Sequence, residues 1–232
     1  RTAALDREPV MIELPNERRA IARTFGALIA EGEVRCCYEA GPTGYELHRQ
    51  LTTMGAKCSI IAPSLIPQRA GDRVKTDRRD AIKLARLFRA GELTPIAIPS
   101  TEQEGVRDLL RARDDVRRVR TSARHRLGKF LLRRGLRFTG RSGWTQEHWK
   151  WIRKQRFEGR ADQIVLAHYI QQVDMLDVQL AELDREVTSY AQTETYREPV
   201  ARLSALRGIS TLAAMVLLTE LLDLRRFEHP RQ

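Results

Sequence analysis

Apolar positions change their period along this chain. Over the first hundred residues, short apolar runs alternate with stretches in which apolar side chains recur at three and four. Pro9–Leu14 (PVMIEL) reads as a strand. Glu17–Ala30 reads as a helix with Ile21, Phe25, Leu28 and Ile29 on one face. Val34–Tyr38 (VRCCY) predicts a second strand that Glu39 closes. After a Gly41-Pro42-Thr43-Gly44 turn comes a helix through Tyr45, Leu47 and Leu51, and Lys57–Ala62 (KCSIIA) predicts a third strand ended by Pro63. Alternating strands and helices imply parallel pairing, hence an α/β layer. Pro67–Lys75 reads as a loop over the carboxyl ends of the strands, Asp77–Arg89 as a helix with Ile82, Leu84, Ala85 and Phe88 inward, and Thr94–Pro99 as a short extended piece.

From Thr101 the pattern is helical and basic. Val106, Leu109, Leu110, Val116, Val119, Ala123, Leu127, Phe130 and Leu131 form an apolar stripe, and arginines fill much of the rest. At 1.5 Å per residue this helix would run about 50 Å. A connection carrying Trp144, Trp149 and Trp151 leads to a second long helix from about Gly159. Its Leu166, Tyr169, Val173, Leu176, Leu180, Leu183, Val187 and Tyr190 predict a coiled-coil seam, whose partner is either the basic helix folding back or another copy of the chain. Pro199 is expected to end that element, and two helices around a Gly208-Ile209-Ser210 turn follow. The predicted organisation is an α/β domain over 1–98, a basic helical hairpin or coiled coil over 99–198, and the start of a small all-helical domain over 199–232.

Charge narrows the function. Lys and Arg number 41 against 30 Asp and Glu, a formal net charge of +11. A surplus of that size favours polyanions, nucleic acid first, and the preference for Arg suits bidentate contact with phosphate. No apolar run reaches the ~20 residues of a membrane span, so a cytoplasmic protein without membrane contact is expected. Cys36, Cys37 and Cys58 lack metal-ligand spacing and read as reduced, inward residues.

Three carboxylates fall where chemistry is common. Glu39 closes a strand at the carboxyl end of the sheet. Asp77 and Asp80 lie three apart at a helix start and so share one face. Together they could hold Mg²⁺ or Mn²⁺, which prefer hard oxygen donors and can serve phosphoryl transfer. Alternatively, Asp77 caps the helix and Asp80 complements its dipole. Phosphate contact is expected from Arg117, Arg118, Arg120, Arg124, Arg126, Lys129, Arg133 and Arg134. The tryptophans either stack on unpaired bases or pack the hairpin end, and the Gly208 turn either offers amides to a phosphate or is an ordinary turn.

The stretches Tyr38-Glu39-Ala40-Gly41-Pro42-Thr43-Gly44-Tyr45 and Lys75-Thr76-Asp77-Arg78-Arg79-Asp80-Ala81, with Leu206-Arg207-Gly208-Ile209-Ser210, Glu220 and Phe227, resemble the DEDD-type insertion-sequence transposases. That resemblance implies an RNase H-like (RuvC-type) fold for the first domain and Mg-dependent strand exchange between donor and target DNA. It also implies a structured guide (bridge) RNA and a dimer or tetramer assembled through the long helices. It makes Glu39, Asp77 and Asp80 the catalytic metal ligands. The family's first aspartate, in a Gly-x-Asp strand, and its C-terminal nucleophilic serine have no counterpart here, so the sequence is expected to be trimmed at both ends or to be a catalytically dead copy. A metal-dependent junction nuclease and a non-enzymatic nucleic-acid-binding coiled coil are the alternative functions.

Overall fold

A computed structural model describes residues 10–67, 76–227 and 229. The chain divides into two compact units, Arg1–Ile98 and Pro99–Gln232.

In the first unit α1 (Arg18–Glu31) precedes β1 (Arg35–Glu39), α2 (Glu46–Thr53), β2 (Lys57–Ile61), a 3-10 turn at Pro63–Leu65 and α3 (Asp77–Ala90). The two strands are parallel, with Cys36 beside Cys58 and Glu39 beside Ile61. The α2 crossover makes this a β-α-β unit. A sheet this small is stable only when a face is covered. Ile21 of α1, Leu51 of α2 and Ala56 supply that cover, with Cys36 and Cys58 packed against them. All three cysteines are free and half-buried, and burial pushes the Cys37 thiol up to about 11.

The expected strand at Pro9–Leu14 does not form over its described part. Val10–Leu14 is unpaired, and Val10 and Ile12 are mostly exposed. β-propensity expresses a fit to a partnered pleated surface, and these residues have no ladder partner among the described ones. Among the described residues the sheet therefore has two strands where three were predicted. Apart from Pro67, the expected loop at Pro67–Lys75 lies outside the described residues. Thr94–Pro99 runs alongside β2, where the Ile96 amide donates to the Ile60 carbonyl at 2.8 Å. On α3 the inward residue is Leu87, whereas Ala85 is exposed.

The second unit is built on α4 (Thr101–Arg133) and α6 (Arg160–Tyr190). A Ser100/Gln103 capping box starts α4, with Ser100 Oγ accepting from the Gln103 amide at 3.1 Å and Gln103 Oε1 accepting from the Ser100 amide at 2.9 Å. The helices are antiparallel: the α6 partners fall from Asp184 to Asp162 as the α4 residues rise from Arg113 to Arg134. The basic helix thus folds back on the seam within one chain. At one end Leu127, Phe130 and Leu131 pack with Leu166, Val173 and Ile152, the last from α5 (Gln146–Lys154). At the other end Val106, Leu110 and Val187 pack with Tyr196 and Val200 of α7 (Glu194–Ser204) and with Ala214 and Met215 of α8 (Thr211–Leu221). Val200, Ala214 and Met215 of this core come from the stretch read from the sequence as the opening of a further domain. Pro199 does not end α6. That helix closes at Tyr190, where Thr193 Oγ1 donates to the Tyr190 carbonyl at 2.7 Å, and Pro199 sits inside α7. Among the described residues no helix is long and apolar enough to cross a membrane.

Candidate carboxylate site and basic hairpin

Glu39 is the last residue of β1 and is exposed. The chain then turns sharply. Gly44 takes φ +66°, a conformation glycine adopts without a Cβ penalty, and the Tyr38 hydroxyl donates to the Gly44 carbonyl at 3.3 Å, tying the turn to the strand. Asp77 and Asp80 open α3, but Asp77 is not its cap. Thr76 takes that role, its Oγ1 accepting from the Arg79 amide at 3.3 Å, which leaves Asp77 as the first helical residue. Both carboxylates are exposed, share the first turn and lie where the helix dipole favours negative charge.

α3 packs against β1, so Glu39 and the aspartate pair stand on touching elements. Among the described residues, however, no three His, Cys, Asp or Glu side chains converge as a metal-holding group. The donors suit a divalent cation chemically, but the three carboxylates do not form a closed shell, and no catalytic step is routed through one.

In the second unit the arginines expected to meet phosphate divide into two groups. Arg120 Nη1 donates to Asp177 at 3.1 Å and Arg124 Nη2 at 3.0 Å, and each guanidinium keeps a buried Nε without a partner. Arg117 and Arg118 both hold Asp114 at 2.7 Å. Arg126 donates to Gln172 at 3.2 Å, and Arg134 grips Asp162 with two bonds. Lys129 and Arg133 are exposed and have no ion pair among the described residues. The sequence shows Asp108, Asp114 and Asp115 offsetting some of the Arg charge near the start of the helix, and Asp114 is a partner, but sequence reasoning missed the acidic partners on α6. The available signal was that Asp162, Asp177 and Asp184 flank the α6 seam at its helical period.

The aromatic connection is packed. His148 stacks on Phe138 with ring centroids 4.5 Å apart and on Trp151 at 5.7 Å, and its Nδ1 accepts from the Trp144 amide at 2.7 Å. Trp144 meets Trp149 at 5.7 Å, while Arg124 lies over Trp144 and Arg153 over Trp149. These rings close the hairpin end. Ser210 caps α8, its Oγ accepting from the Ala213 amide at 3.2 Å, after a turn in which Gly208 takes φ +93°.

Residues 8–134, more than half of the chain, match the DEDD transposase family of the IS110 type, and the chain belongs to that family. Two relatives extend the likeness beyond that segment. "Putative transposase y4qE" of Sinorhizobium fredii is 40% identical over 91% of this chain and 51% of its own length. "Transposase for insertion sequence element IS1533" of Leptospira borgpetersenii is 40% identical over 86% of this chain and 58% of its own length. The chain thus spans about half the length of these curated relatives.

Proposed function

We propose that this chain is the carboxylate-bearing and DNA-holding part of an insertion-sequence transposase. In this reading the first unit is RuvC-like and the family's divalent ion, Mg²⁺ or Mn²⁺, is held by Glu39, Asp77 and Asp80. The basic helical unit holds donor and target DNA through its exposed cations that have no ion pair among the described residues, Lys129 and Arg133 among them. A structured guide RNA selects the pairing, and the long helices join copies of the protein.

The observation that carries the reading is the order and setting of three exposed carboxylates within the family match: Glu39 at the carboxyl end of a parallel strand, and Asp77 with Asp80 in the first turn of a helix that touches it. With Thr76 as the cap, Asp77 has no hydrogen-bonding duty among the described residues that would explain it. A second reading has its own support. The three carboxylates do not converge among the described residues, which favours a chain that holds DNA while Asp77 and Asp80 only complement the α3 dipole.

Calorimetric titration of the chain with Mn²⁺ separates the two. A site that weakens at least tenfold in both Glu39→Gln and Asp77→Asn supports the transposase site. Equal Mn²⁺ affinity in the parent and both variants leaves the dipole reading standing.

A further inference from the structure

The hairpin of the second unit is not uniformly basic. Its shaft, residues 101–125 of α4 with 161–190 of α6, carries eight Arg against eleven Asp and Glu, a net charge of −3. Its end, residues 126–160, carries eleven Arg and Lys against only Glu147 and Glu158, a net charge of +9. The pairing sharpens the contrast. Shaft cations Arg113, Arg117, Arg118, Arg120 and Arg124 all hold aspartates. At the end, Lys129, Arg133, Arg137, Arg141, Lys150 and Lys154 are exposed and have no ion pair among the described residues. A polyanion approaching the shaft meets charge that is already neutralised. At the end, where Arg134 and Arg153 pair with Asp162 and Asp174 of α6, it meets a concentrated and largely uncompensated field.

The chemistry of the end also selects what it binds. Trp144, Trp149 and Trp151 are engaged with one another, with His148 and Phe138, and with Arg124 and Arg153. They cannot also serve as stacking platforms for unpaired bases without dismantling that packing. What remains outward is cationic, which reads phosphate and not base edges. We propose that the free end of the α4–α6 hairpin, built from the close of α4, the 134–145 connection and α5, grips the backbone of duplex DNA without reading its sequence, while the shaft arginines serve the hairpin itself. This rests on the reading of the chain as a DNA-holding transposase part, and it moves the phosphate contacts from the helix shaft to its tip.

Counterion release gives the scale. Each phosphate neutralised contributes about 0.9 to the slope of log affinity against log salt. The experiment compares the parent chain, the tip variant Arg133→Gln/Arg137→Gln/Arg141→Gln/Lys150→Gln, and the shaft variant Arg117→Gln/Arg118→Gln. Binding to a labelled random-sequence duplex is followed by fluorescence anisotropy over a salt series, with melting temperature as the folding control. All six positions are exposed, so the variants are expected to melt like the parent. The tip variant should lose affinity on the order of 100-fold near 0.1 M salt, with its slope shallower by roughly 3 to 4. The shaft variant should stay within about threefold of the parent. A folded tip variant that binds like the parent, or a shaft variant that loses more than the tip variant, overturns the assignment while leaving DNA binding intact. A parent that binds no duplex overturns both this proposal and the DNA-holding reading. Tighter binding of a single strand than of the duplex at equal salt overturns the backbone-duplex assignment alone.

Discussion

Replacing Asp177 with alanine tests what the shaft arginines are for. Asp177 accepts three hydrogen bonds from Arg120 and Arg124, at 3.0 to 3.2 Å. The arginine side chains are 25% and 21% exposed and that of Asp177 is 32% exposed. A hydrogen bond to a charged group contributes about 1.5–3 kcal/mol when well shielded, and a fully exposed ion pair about 0.2–1 kcal/mol. The intermediate exposure puts the loss near ~2 kcal/mol, because Asp177→Ala also leaves two guanidiniums facing a partly dry interface without an anion. For a unit of this size that lowers the melting temperature by about 7 °C. Thermal unfolding followed by far-ultraviolet circular dichroism measures it, and a cycle with Arg124→Ala should show a coupling of about 1 kcal/mol. Duplex affinity of Asp177→Ala should equal or exceed that of the parent, because an acidic side chain has gone. The reasoning fails if Asp177→Ala melts within a degree or so of the parent while Arg124→Ala loses more than tenfold in DNA affinity. Those arginines would then be phosphate ligands that merely rest on Asp177.

Leu127 is fully buried in the cluster at the hairpin end, so Leu127→Ala should cost about 3 kcal/mol and lower the melting temperature by roughly 10 °C. The paired hydrogen bonds from Arg111 hold the Glu220 carboxyl below its ordinary range. Its contribution is therefore complete above the unfolded value near ~4.3 and is lost as pH falls through the lower folded value, so Glu220→Gln should flatten the acid limb of a plot of melting temperature against pH. Burial lowers the His148 pKa, and its Nδ1 must be unprotonated to accept the Trp144 amide. The stabilisation it gives is complete above the unfolded value near ~6.5 and declines as pH falls toward the folded one, which should appear as a tryptophan fluorescence transition that His148→Asn removes.

Periodicity made α4 and α6 legible because a stripe repeated over some thirty residues fixes both the helix and its buried face. Val106, Leu110, Ala123, Leu127, Phe130 and Leu131 are buried as the stripe predicts, and of the stripe's residues Val119 is exposed, at 48%. The parallel strands around Glu39 were equally legible, each being a short apolar run closed by turn residues. The run Pro9–Leu14 had the same local signature, and Val10–Leu14 remained unpaired, because a strand is completed by a neighbour that composition does not encode. Asp77 and Thr76 are both good caps, and propensity alone cannot choose between adjacent candidates. The largest gap was electrostatic. A one-dimensional reading counted the arginines of 117–134 as an outer face. The α6 acids that neutralise part of them sit 28 to 57 residues further along and become partners only once the hairpin closes.

Those partners bear on more than neutrality. Two long helices whose seam repeats apolar residues can slide by a heptad and bury nearly the same area, so packing alone specifies register weakly. The ionic contacts break that degeneracy because they are unevenly spaced: Arg113 to Asp184, Arg120 to Asp177, Arg134 to Asp162. Sliding α6 by seven residues one way brings Asp184 opposite Arg120 but sets Arg113 against Ala191 and Arg134 against Tyr169. Sliding it the other way brings Asp177 opposite Arg113 but sets Arg120 against Ile170 and moves Arg134 past the start of α6, to Gln155. Either slip keeps one ion pair of these three and strands one half-buried guanidinium, Arg113 in the first case and Arg120 in the second, together with the exposed Arg134. One register therefore dominates, and it holds the cationic end at a fixed distance from the α7–α8 base. A DNA-gripping tip on a shaft free to slide could not position a duplex relative to the rest of its own unit.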